Sequence, residues 1–163
     1  MNITDENWKM IKTEMKKTLF KSIASINEDG SPHITPIGSL ILNKEAKGIY
    51  FEIFTKKMPS NFKNNQKICI LSVNSNLFFW LKSLIKGKFE SPPAIRLYAT
   101  VGDRRKATEK EKELWYKMVR FAKFFKGYDL MWKNGDYVRD INFTSFEPIN
   151  IGVMTKHLEL NNN

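Results

Sequence analysis

"SPHITPIGSL", residues 31–40, decides the fold. Its flanks alternate and branch as a β-strand should. Yet Pro36 removes a ladder donor midway, and Gly38 leaves bare backbone two residues on. Proline inside a strand marks an edge or a bulge, and glycine there marks close approach of another backbone or a ligand. The stretch reads as a strand, running to about Leu42, that gives up hydrogen bonds and bulk to something beside it.

Its neighbours supply the partners. "LFKSIASINEDG" (19–30) alternates as a strand and ends in Asp29-Gly30, a strong hairpin signal. "NKEAKG" (43–48) turns the chain again, and "IYFEIFT" (49–55) is a third strand rich in aromatic and branched residues. "KICILSVN" (67–74), "AIRLYATVGDRR" (94–105) and "NFTSFEPINIGVMT" (142–155) complete six strands, the last kinked at Pro148. Between the third and fourth, "KKMPSNFKNNQ" (56–66) is a polar connection with a short helix beginning near Pro59 or Ser60.

Helices flank these strands. Trp8, Ile11 and Met15 recur at helical spacing, with Asp5 and Glu6 at the favourable end, which predicts a helix over about 5–17. Thr108 and Glu111 have capping-box spacing and open an outer helix over about 108–125. Its expected buried face is Leu114, Met118, Phe121, Ala122 and Phe125, and Lys126-Gly127 is its expected stop. "SNLFFWLKSLIKGKFESPP" (75–93) reads as either a short helix or a loop capping the barrel. Hairpin-linked strands interrupted by helices make a mainly β, α+β chain: an antiparallel six-stranded barrel with helices outside, one domain over 1–163.

Composition narrows the function classes. The 163 residues are 42% hydrophobic and 13% aromatic, which is globular rather than disordered. One cysteine, Cys69, excludes an internal disulfide, and one cysteine with two distant histidines excludes a closed zinc site. No phosphate-binding glycine loop and no serine or cysteine nucleophile motif occurs. "MNITDENWKM" at the start has no apolar signal region, so the expectation is a cytoplasmic protein with no membrane partner. The net charge of +10 is spread along the chain, so it argues for no specific nucleic-acid partner, although the lysines beside aromatics in "KFFKGYDLMWK" keep that class open.

One constellation carries chemistry. "FTKKMPSN" (54–61) follows a strand and opens a short helix, where free N–H groups, Lys56, Lys57 and the hydroxyls of Thr55 and Ser60 suit a phosphate. A solvated lysine turn with a capping serine fits the same residues. In a barrel, "HITPIG" and "FTKK" lie on neighbouring strands and can flank one site, the first against a flat ring and the second against its phosphate tail.

At this point "LFKSIASINEDGSPHITPIGSLIL", "IYFEIFTKKMPSNFKNNQKICILSVN", "PPAIRLYATVGDRRKAT" and "NIGVMT", taken in order, resemble the pyridoxamine 5′-phosphate oxidase-like family of FMN-binding split barrels. The resemblance runs from about Lys17 to Thr155. It implies a split β-barrel and a homodimer with FMN in grooves between the subunits. It places His33, Ile34, Thr35, Pro36 and Ile37 along the flavin ring, with Phe54 and Thr55 continuing that wall. Lys56, Lys57, Ser60 and Asn61 match the phosphate turn, although Met58 stands where the family carries a lysine. The tail "VMTKHLELNNN" lacks the Arg- and His-bearing segment of vitamin B6 oxidases, so that substrate is not expected. The implied activity is a flavin oxidoreductase of unknown substrate. Arg96 or Arg105 is a candidate cation near the ring unless each pairs with an acid at the surface, and Phe78, Phe79 and Trp80 either cover the substrate side or serve as core or dimer contact. A flavin or haem binder without turnover, with His157 as the iron ligand, and a deazaflavin reductase are the alternatives.

Overall fold

A computed structural model of the chain describes residues 1–18, 21–132 and 135–158. Leu19 and Phe20, expected to open the first strand, lie outside the described residues, as do the last five residues of the tail. Seven antiparallel strands form one sheet: β1 (Lys21–Ile26), β2 (Pro32–Ile37), β3 (Leu40–Leu42), β4 (Lys47–Phe51), β5 (Lys67–Val73), β6 (Ala94–Lys106) and β7 (Tyr137–Pro148). Their order is β2-β1-β5-β6-β7-β4-β3.

That order explains the opening stretch. The single strand expected over 31–42 is two strands, broken at Gly38-Ser39. β2 pairs with β1 at one edge of the sheet, and β3 pairs with β4 at the other. The chain itself bridges the two edges, so the sheet curls into a barrel split along one side. Pro36 sits opposite Ser22 on the edge strand, where a missing donor costs no second ladder. The count is seven instead of six because this strand changes partner halfway.

Asp29-Gly30 makes the expected hairpin. The Asn27 N–H donates to the Ser31 carbonyl, and Gly30 takes φ +81°. The third strand ends at Phe51, four residues earlier than expected, and the last strand covers Tyr137–Pro148 rather than 142–155. Pro148 ends the strand instead of kinking it.

Helix α1 (Asp5–Met15) closes one end of the barrel. Its Trp8, Ile11 and Met15 are buried among Ile23, Ile70, Leu97 and Phe146. Helix α2 (Lys57–Asn61) starts two residues before Pro59, and α3 (Leu77–Lys86) resolves 75–93 as a helix capped by Asn76. The outer helix is in two pieces. α4 (Glu109–Val119) carries the expected Thr108–Glu111 capping box and runs into a 3₁₀ turn over Arg120–Ala122; α5 (Gly127–Trp132) begins at the glycine expected to stop it. Its buried face also differs: Trp115, Val119 and Ala122 pack inward, while Leu114, Met118, Phe121 and Phe125 are exposed. Trp115 and Val119 make a second core layer with Ile49, Phe51, Ala107 and Val138 on the outside of β4 and β7.

Candidate functional site

The split is a cleft. One wall is His33, Thr35, Pro36 and Ile37 of β2 with Gly38 and Ser39; the other is Phe51 and the segment Ile53–Met58. Trp115 of α4 with Met131 and Trp132 of α5 form its floor and flank, around a volume of about 540 Å³. That is within the range of small-molecule pockets.

Local chemistry positions both walls. The Ser39 hydroxyl donates to the Phe51 carbonyl at 2.9 Å, which ties the strand break to the end of β4. Phe51 stacks on Trp115 with ring centroids 5.3 Å apart. Beyond Phe51 the chain is pinned by a buried carboxylate. Glu52, 8% exposed, accepts from the Arg139 guanidinium and forms an ion pair with Arg104, whose Nε lies 3.1 Å away. Arg139 also donates to the Gly102 carbonyl at 3.1 Å. Burial and the Glu52 charge push the neighbouring Tyr50 hydroxyl above its ordinary range.

The electrostatics of the cleft are unpaired. Among the described residues, two buried side-chain polar atoms have no hydrogen-bond partner, Thr55 Oγ1 and Trp115 Nε1, and both residues line this cleft. Such atoms are costly unless something satisfies them. Lys56 and Lys57 are exposed at its rim, and neither forms an ion pair with a described residue. Lys57 does face the charge of Asp29 in the neighbouring hairpin turn. His33 Nδ1 lies 3.4 Å from Ser25 Oγ and 3.5 Å from Thr35 Oγ1, which holds the ring against the strand.

No protein-family model and no curated protein matches the chain. Solved structures do. An FMN-binding protein from Syntrophomonas wolfei is 12% identical with a TM-score of 0.57, over 90% of this chain and 94% of that one. An F420 reductase is 11% identical with a TM-score of 0.58, over 85% and 96%. A protein provisionally assigned as a pyridoxamine 5′-phosphate oxidase, from Lactobacillus delbrueckii, is 16% identical with a TM-score of 0.51, over 90% and 93%. The fold is the pyridoxamine 5′-phosphate oxidase-like split barrel. Identities this low speak for the fold and not for the chemistry.

In this split barrel the residues singled out by sequence are distributed unevenly. His33, Thr35, Pro36, Ile37, Phe54, Thr55, Lys56 and Lys57 all meet at the cleft. Ile34 points to the other face of β2, 66% exposed. Ser60 is exposed outside the lining. Asn61 is buried, and its amide donates to Ser25 Oγ and Asn27 Oδ1, both at 3.0 Å. It ties α2 to the first hairpin rather than lining the cleft.

The remaining sequence candidates lie away from the cleft. Arg96 pairs with Glu147 at 2.7 Å, and Arg105 pairs with Glu111 at 2.8 Å and Asp140 at 2.6 Å, so both cations are used at the surface. Phe79 and Trp80 pack on Phe89 while Phe78 is exposed on α3, and none of the three lines the cleft. His157 Nε2 donates to the Phe89 carbonyl at 2.8 Å, also away from the cleft. Among the described residues, no three His, Cys, Asp or Glu side chains gather into a metal site. No described helix is long and apolar enough to cross a membrane.

Proposed function

We propose that the cleft binds FMN and that the protein is a flavin-dependent oxidoreductase of the split-barrel type. The observation that carries this reading is the pairing of two unsatisfied buried polar atoms, Thr55 Oγ1 and Trp115 Nε1, with Lys56 and Lys57, which form no ion pair with a described residue, in one cleft of ligand size. The donor set fits a flat heteroaromatic ring with an anionic tail. Pro36, Ile37 and Phe54 would lie against the ring, and backbone along the open edge of β2 is free to meet its polar rim. Thr55, Lys56 and Lys57 would hold the phosphate. Bound there, FMN would supply hydride chemistry. The chain's own part is to orient the ring and exclude water with Trp115, Met131 and Trp132. The FMN-binding protein and the F420 reductase of the same fold support this class of ligand.

The same reading expects two copies to pair. The α3 stripe of Leu77, Phe78, Leu81, Leu84 and Ile85 is exposed and apolar, and Glu90 pairs with both Lys82 and Lys86 beside it, which suits a contact between identical surfaces. Sedimentation equilibrium checks this: a monomer at micromolar concentration defeats it.

The test of the cofactor is a titration with FMN and with riboflavin, which lacks the phosphate. The wild type is expected to hold FMN about tenfold or more tightly than riboflavin. In the Lys56→Ala/Lys57→Ala variant that preference disappears while riboflavin binding stays. Absence of binding to either ligand rejects the flavin reading. Binding without reduction by NADH or NADPH, and without turnover with any acceptor, leaves a binder and rejects the enzyme.

A further inference from the structure

The outer helical segment has an apolar surface that neither the core nor the cleft uses. From α4 through the 3₁₀ turn to α5, Leu114, Met118, Phe121, Phe124, Phe125 and Leu130 are exposed, Phe124 to 95%. Leu114 and Met118 sit on α4 one position from the buried Trp115 and Val119, Phe121 lies in the 3₁₀ turn, and Phe124 and Phe125 lie in the turn before α5. Between them stand Lys117, Arg120, Lys123 and Lys126, all exposed and in no ion pair with a described residue. No acidic residue occurs from 114 to 128.

We infer that this face docks on an anionic lipid surface. Large apolar side chains beside cations that form no ion pair with a described residue, on a surface helix and the turn that follows it, are the composition of an interfacial segment, which sinks its apolar side chains to the headgroup boundary and sets its cations among the phosphates. Charge complementarity selects this occupant over a second copy. In a two-fold contact the stretch 114–128 meets itself, and its four cations would face four cations with acids only at its flanks, Glu113 and Asp129. A nucleic acid would satisfy the charge but not the side chains: Leu114, Met118 and Leu130 offer no ring to stack on bases. The α3 stripe lacks this signature, because both Lys82 and Lys86 are paired with Glu90. The face lies outside the proposed cofactor contacts, so the inference stands or falls apart from the flavin reading. It reverses the expectation, drawn from composition, of no membrane partner.

The experiment is co-sedimentation of the full chain with vesicles of phosphatidylcholine alone and with about one third phosphatidylglycerol. The protein is expected to pellet with the anionic vesicles only, and to be released as salt rises. Phe124→Ser/Phe125→Ser is expected to weaken partitioning by tenfold or more. Lys123→Gln/Lys126→Gln is expected to weaken it by about fivefold per charge removed. Both variants should keep the thermal midpoint of the wild type. The inference is overturned by a wild type that stays in the supernatant with both vesicles, or by variants that pellet as well as it does. It is equally overturned if the phenylalanine variant instead lowers the sedimenting mass, which assigns the face to a second copy. Loss of tight, salt-steep oligonucleotide binding in that variant would assign it to nucleic acid.

Discussion

Helix α1 and helix α4 carry the same kind of apolar periodicity and use it in opposite ways. In α1 there is one stripe, Trp8, Ile11 and Met15, and all of it is buried against the barrel. In α4 and its continuation there are two, offset by one residue. Trp115, Val119 and Ala122 face the core, and Leu114, Met118, Phe121 and Phe125 face outward. A helical period states that a face exists; it does not state what covers it. Where a second stripe is present, the sheet accepts whichever fits its surface, here the one whose tryptophan stacks on Phe51.

The comparison is most sharply tested where burial is deepest. Trp8→Ala in α1 removes a ring that is 3% exposed, tilts against Phe143 at 5.1 Å and donates through Nε1 to the Asn43 carbonyl at 3.0 Å. It is expected to cost about 3–5 kcal/mol in urea unfolding. A cost below about 1 kcal/mol would show that α1 is peripheral to the core.

Next comes the carboxylate that joins the core to the cleft. Glu52→Gln keeps the shape but leaves Arg139, whose side chain is 11% exposed, without its counter-charge. Breaking a buried pair on one side costs about 3–5 kcal/mol. Because Glu52 adjoins the wall Ile53–Met58, FMN affinity should fall as well, in a variant that still unfolds cooperatively. Unchanged affinity in a destabilised variant would separate the ion pair from the cleft.

A smaller effect belongs to the end of β6 and the start of α4. The Arg105 guanidinium, hydrogen-bonded to Glu111, holds that carboxyl down at about 2, with burial opposing and the Thr108 N–H assisting. A carboxyl lowered on folding stabilises the protein fully above its unfolded value. That stabilisation is lost as pH falls from about 5 toward 2. With Arg105 a third exposed, the loss is expected to be about 1–2 kcal/mol after screening. Glu111→Gln should flatten the denaturant midpoint against pH over that window, and an unflattened profile would assign the acid lability to other groups.

These ranks track what was legible in the sequence. The Asp29-Gly30 hairpin, the capping box at Thr108 and the α1 stripe are local, and each is written within a few neighbouring residues. Pro36 and Gly38 announced a break, but a change of partner from β1 to β4 depends on residues far along the chain. The cleft was read along its two continuous segments, 33–37 and 54–57, and missed where distant elements fold over it. Phe51, Trp115, Met131 and Trp132 come from a sheet end and two helices, and only the tryptophans in a charged helical run hinted at them. The Glu52–Arg139 pair joins positions 87 residues apart, and no local pattern announces it.

The smallest effect is the most informative about the outer apolar face. Phe124→Ser changes a ring that touches solvent over nearly all its surface, so folding should register it within about 0.5 kcal/mol. A core phenylalanine removed in the same way costs several times more. The two faces are thus separable by one measurement: thermal unfolding of Phe124→Ser against that of Val119→Ala, whose side chain is 6% exposed and packs on the inner layer. If Val119→Ala falls by about 1–3 kcal/mol and Phe124→Ser does not move, the outer phenylalanines are held in the chain at no benefit to its stability. If Phe124→Ser falls as far, the ring is covered in solution, and the face has an occupant that one chain alone does not supply.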